Sequence, residues 1–148
     1  MNADGTGLRA PVHFIGGHPE WEVGHRMIGA SGTDQIVYDT DAQQVVGKIG
    51  SPQIIPKPGG DVALSPDGKW FVNGYREKGS NYYTILRLAD GAWVRTGGFD
   101  QSGYTSGDLR LDPGPLWSRD SSQLLVPGLA KDGERTRQLF VITIKEGP

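Results

Sequence analysis

Four side chains sit near the starts of related sequence blocks and have the chemistry to serve a site. His18 opens the block His-Pro-Glu-Trp-Glu at 18–22. An imidazole at the head of a short inner strand suits a general base or a metal ligand. Asp61 opens a second block, Asp-Val-Ala-Leu-Ser-Pro-Asp-Gly at 61–68, and Arg110 and Asp112 stand just before a third, Gly-Pro-Leu-Trp-Ser-Arg-Asp at 114–120. A guanidinium at Arg110 is suited to grip a carboxylate through two parallel hydrogen bonds. Tyr75, which follows the second strand of the second repeat, is a fifth candidate for the same face. Each has a plainer alternative: His18 as a histidine bonded between repeats, Arg110 with Asp112 as a structural ion pair, Tyr75 as packing. His13 and His25 are weaker candidates, and His25 falls in a turn.

The repeat decides what must position these groups. Trp21, Leu64 and Trp117 align, with separations of 43 and 53 residues, close to the ~40–50 residues of one β-propeller blade. Asp-Gly at 4–5, 67–68, 90–91 and 132–133 and Asn-Gly at 73–74 suit tight turns with positive φ. Between them lie short segments rich in Val, Ile, Tyr and Trp, predicting strands at 26–30, 35–39, 44–49, 70–73, 82–88, 93–96, 123–126 and 138–144. An inner strand ending at Trp21, Leu64 or Trp117 precedes each set. No segment carries a sustained helical period.

The predicted fold is therefore all-β, a partial β-propeller of about three four-stranded antiparallel blades spanning 1–148. Residues 1–12 are expected to form the outer strand of a preceding blade, 13–50 and 51–100 two blades, and 101–148 an incomplete one. Trp21 and Trp117 are expected in blade cores. Gly97–Gly107 is too rich in glycine for a strand and is expected to be a connecting loop or a lid. Three blades are fewer than the usual four or more, so further blades or a second copy would be needed to close the ring.

Composition narrows the function. Fifteen basic and seventeen acidic residues give a formal charge of −2 with no run of like charge, so no footprint for nucleic acid is present. The absence of cysteine excludes disulfides, thiolate metal sites and a cysteine nucleophile, while leaving the compartment open. No stretch approaches a membrane span, and Met1–Gly7 lacks the basic and apolar regions of a signal peptide, so a soluble chain is expected. Ser65 and Ser118 belong to repeat turns without the Gly-x-Ser-x-Gly elbow of a serine hydrolase.

Asn2-Ala3-Asp4-Gly5-Thr6, Leu64-Ser65-Pro66-Asp67-Gly68-Lys69-Trp70 and Trp117-Ser118-Arg119-Asp120 resemble the repeats of TolB-like propellers. A narrower resemblance is to oligogalacturonate-lyase-like propellers, carried by His18-Pro19-Glu20-Trp21, by Arg110, Asp112, Pro115, Trp117, Ser118, Arg119 and Asp120, and by Arg137-Gln138-Leu139-Phe140-Val141. It implies a propeller channel that holds a divalent metal, typically manganese, and cleaves uronate oligosaccharides by β-elimination. On that resemblance His18 is the catalytic residue and a metal ligand, Asp61 is a second ligand through oxygen, and Arg110 and Asp112 bind the substrate, with Tyr75 joined to them by its position after the second strand of the second repeat. Gly114 stands at the third equivalent position and offers no side chain. The implied protein is an active or degenerate relative of the lyases; the alternative is a non-catalytic TolB-like module binding protein or glycan at its channel face.

Overall fold

The computed structural model describes residues 3–131 and 135–145. All regular structure among them is strand, in three antiparallel meanders. The first sheet comprises β1 (Gly16–Trp21), β2 (Arg26–Ser31), β3 (Asp34–Asp39) and β4 (Gln44–Ile49). The second comprises β5 (Asp61–Leu64), β6 (Trp70–Glu77), β7 (Ser80–Arg87), β8 (Trp93–Arg95) and β9 (Phe99–Asp100). The third comprises β10 (Leu116–Trp117), β11 (Gln123–Leu129) and β12 (Arg137–Thr143). A parallel pairing, His18 opposite Asp61, joins the inner strands of the first two sheets.

Polar turns set the register of the repeats. Ser65 Oγ and Asp67 Oδ1 are 2.6 Å apart, while Trp70 N–H donates to Ser65 Oγ and Lys69 N–H to Asp67 Oδ1. Ser118, Asp120, Ser122 and Gln123 reproduce the same network, again with 2.6 Å between the Ser118 hydroxyl and Asp120. Gly68 has φ +71° and Ser121, its counterpart, +61°. The two turns also touch, since Asp67 N–H donates to Ser121 Oγ at 3.1 Å.

Alternation along the strands builds two cores. Ile28, Val37 and Ile49 of the first sheet pack on Val62, Phe71 and Leu86 of the second. The opposite face of the second sheet sends Val72, Tyr83 and Ile85 against Trp117, Leu124 and Val126 of the third.

The structure corrects four details. Trp21 is 61% exposed, not in a core, because among the described residues no sheet lies in front of the first one; its counterpart Trp117 is 8% exposed. Asn73-Gly74 lies inside β6, and the hairpin turn falls at Lys78 and Gly79, both with positive φ. Phe99–Asp100, inside the expected loop, pairs with β7, held by Phe99 between the rings of Tyr83 and Phe140 at 5.6 and 5.5 Å. Gly7–Val12 forms no strand, for want of a neighbouring strand to pair with; Val12 N–H instead donates to Tyr38 Oη and Gln43 Oε1. The Asp132-Gly133 turn lies outside the described residues.

Candidate functional site

The His18–Asp61 pairing continues across the second sheet. Asp61 stands opposite Gly74, and Gly74 opposite Tyr83, so one row runs His18, Asp61, Gly74, Tyr83 over four strands. Directly opposed residues share a face. His18 Nδ1 and Asp61 Oδ1 are in direct hydrogen-bonding contact, with His18 68% and Asp61 19% exposed. A carboxylate only accepts, so the contact is an Nδ1–H donating to Asp61, and in the neutral form of this tautomer the free lone pair is on Nε2. An imidazole oriented by a carboxylate in this way can take a proton from a bound molecule at Nε2.

Gly74 is small for a steric reason. A Cβ on it would lie 2.0 Å from the carbonyl oxygen of Pro113 and 3.0 Å from Tyr83 Cε1. The space it leaves admits the segment carrying Arg110 and Asp112 and the Tyr83 ring. Tyr83 is fully buried, and its hydroxyl finds no well-formed hydrogen bond among the described residues. Burial, then the Asp61 charge, hold that phenol well above its ordinary pKa, with Asn81 acting in the opposite sense.

Arg110 and Asp112 reach the same region by their own contacts. Arg110 Nε lies 2.9 Å from the Asp112 carboxylate. From β6, Arg76 places Nη2 3.1 Å from Asp112 Oδ1, and its guanidinium also donates to the carbonyls of Thr105 and Leu111. Asn81 Nδ2 donates to the Leu111 carbonyl at 3.2 Å, fixing the segment from below. Tyr75 is 3% exposed, stacked on Tyr82 with ring centroids 5.7 Å apart and capped by the Arg95 guanidinium at 5.8 Å. Burial raises its hydroxyl pKa, with Arg95 acting in the opposite sense.

These groups meet in one open cleft of about 360 Å³, whose lining includes His18, Lys57, Asp61, Tyr75, Arg76 and Asp112. Four of the five sequence candidates line it, and Arg110 stands behind Asp112. Sequence reasoning missed Lys57 and Arg76. Arg76 falls on the cleft because β6 runs through Gly74 instead of turning there; Lys57 sits in the connection before β5, where the Gly60 N–H donates to its carbonyl. His13 and His25 lie elsewhere: His13 bonds Ser31 and stacks on Tyr38, and His25 stands 3.6 Å from Asp41.

The donors do not fit a closed manganese site. His18 Nδ1 and Asp61 Oδ1 are engaged with each other, Gly114 supplies nothing, and among the described residues no cluster of three His, Cys, Asp or Glu is placed to hold a metal. Hard divalent cations such as Mn²⁺ favour sixfold oxygen-rich coordination.

No family model matches the chain. No curated protein sequence matches it either. Among solved structures, it is similar to a chain from a structural and mechanistic study of two prolyl endopeptidases, with a TM-score of 0.52 and 18% identity over 88% of this chain and 20% of that one. Prolyl endopeptidase carries a β-propeller domain, so the likeness supports a propeller-like fold. A Bacteroides fragilis protein assigned as a 6-phosphogluconolactonase aligns with a TM-score of 0.45 and 16% identity, over 85% of this chain and 39% of that one. The chain thus spans well under half of either. No described helix is long and apolar enough to cross a membrane.

Proposed function

We propose that the chain is a part of a propeller, with blades at 13–50, 51–100 and 101–148, whose cleft binds a uronate-containing oligosaccharide, resembling the oligogalacturonate lyases. The observation that carries this reading is the convergence of the His18–Asp61 pair with Lys57, Arg76 and Asp112 on one cleft, Asp112 being bonded in turn by Arg110. In a catalytic version, His18 Nε2 takes the proton on the carbon α to the uronate carboxylate. The electron pair left behind forms a C=C bond as the glycosidic C–O bond β to that carboxylate breaks, and the departing oxygen acquires a proton. Lys57 and Arg76 offset the charge that builds on the carboxylate.

One observation favours the second reading, a non-catalytic module for glycan or protein. Arg76 and Arg110 both already bond Asp112, so part of their charge is spent within the protein. Two measurements separate the readings. Titration calorimetry with trigalacturonate and with its methyl ester is expected to show saturable binding of the acid alone. Ultraviolet absorbance of the unsaturated product then tells lyase from binder, and no binding of either ligand sinks both carbohydrate readings.

A further inference from the structure

Each sheet has a front row and a back row in matching register. The back rows are Ile28 opposite Val37, Val72 opposite Ile85, and Leu125 opposite Val141. The front rows are Trp21–Met27–Tyr38, Leu64–Phe71–Leu86 and Trp117–Leu124–Ile142. Twice within the chain a back row is buried by the next front row: Ile28 and Val37 by Phe71 and Leu86, then Val72 and Ile85 by Trp117 and Leu124.

Among the described residues nothing covers the third back row. Leu116, Leu139 and Val141 are 65%, 64% and 57% exposed, beside a groove of about 230 Å³ that Leu125 also lines. At the opposite end, Trp21 projects from the first front row, next to a groove of about 750 Å³ bounded by Met27 and Pro11. Tyr38 of that row is roofed by Val12 and His13, so Trp21 and Met27 are its accessible members. The chain thus carries at its two ends the two halves of a contact it makes twice internally. Apolar faces of this kind mark association surfaces.

We infer that two copies of this chain associate head-to-tail, the Trp21–Met27 face of one docking on the Leu116, Leu125, Leu139 and Val141 face of the other. The contact is heterologous, joining different patches of the two copies. Because the internal packing repeats in register, a second copy matches this face in shape as well as in apolarity.

Sedimentation velocity over a range of concentrations is expected to show a species of twice the chain mass and, because a head-to-tail pair leaves one front and one back free unless its ring closes, larger species as the concentration rises. Trp21→Ser, or Leu139→Lys with Val141→Lys, should leave each variant monomeric with an unchanged circular dichroism spectrum, since these side chains are exposed. Mixing the two variants should restore a 1:1 dimer, because one front and one back remain intact. The natural absence of cysteine allows a second readout: Trp21→Cys with Leu116→Cys should crosslink between copies on oxidation, and Trp21→Cys with Val94→Cys should not. A wild-type monomer throughout, association that survives both variants, or failure of the mixture to pair would overturn the inference.

Discussion

Replacing Gly74 with alanine tests whether the cleft owes its shape to one missing side chain. The new Cβ would lie 2.0 Å from the Pro113 oxygen, 3.1 Å from its carbonyl carbon and 3.0 Å from Tyr83 Cε1. An ordinary carbon–oxygen contact is about 3.3 Å or more, so the carbonyl must retreat by roughly 1.3 Å. Pro113 adjoins Leu111 and Asp112, whose bonds to Asn81 and Arg76 hold that wall of the cleft. Overpacking costs about 1–3 kcal/mol, against roughly 0.5–1 kcal/mol recovered by removing glycine from a strand. The expected result in urea denaturation is a net loss of about 0.5–2 kcal/mol, the difference between those terms, with weaker trigalacturonate binding. As a control, Gly68→Ala meets nothing within 4 Å but holds φ +71°, so it should cost about 1 kcal/mol from backbone strain alone and leave binding intact. A Gly74→Ala protein as stable as the wild type, with unaltered binding, would show that the cleft does not depend on the missing side chain at Gly74.

Other outcomes follow from the same packing and charges. Trp117→Ala should cost about 3–5 kcal/mol in urea denaturation, whereas Trp21→Ala in the monomer should change stability by no more than about 0.5 kcal/mol. Tyr83→Phe removes a buried hydroxyl without a good partner while keeping the ring between Gly74 and Phe99; its urea midpoint should hold or rise, and a marked fall would show that the hydroxyl is satisfied in solution. The Arg87 side chain holds Asp90 down to about 2, so in acid the unfolded chain takes up that proton first, near the ordinary 3.8. Asp90's contribution is therefore complete above that value and lost as the pH falls toward 2. Tyr75 carries the opposite sign, because its raised pKa makes the folded state hold its proton longer, so its contribution declines as the pH climbs past 10. A pH series of thermal melts checks both limbs.

Much of the fold was legible because local chemistry repeats. Ser65 with Asp67 and Ser118 with Asp120 announce their turns by residue type, and the strands between them alternate as half-buried strands must. Asn73-Gly74 misled for a physical reason. The dipeptide suits a tight turn, but here the glycine serves close packing of Pro113 and Tyr83, a long-range demand that no local pattern reveals. The shortened strand left Arg76 unassigned, and with it one of the two guanidiniums on Asp112. Trp21 shares its repeat position with the buried Trp117, yet its burial depends on a neighbouring sheet, not on its own sequence. His18 and Asp61 were visible as equivalent positions, and a parallel pairing between inner strands turns that equivalence into contact.

Calorimetric titration of trigalacturonate into the wild type, Arg76→Gln and His18→Gln proteins tests the proposed uronate binding at the cleft around His18, Asp61 and Arg76. Saturable wild-type binding is expected to weaken tenfold or more in Arg76→Gln, with circular dichroism unchanged, and to weaken less in His18→Gln. Equal affinity in all three proteins, or no wild-type heat at millimolar ligand, would contradict it.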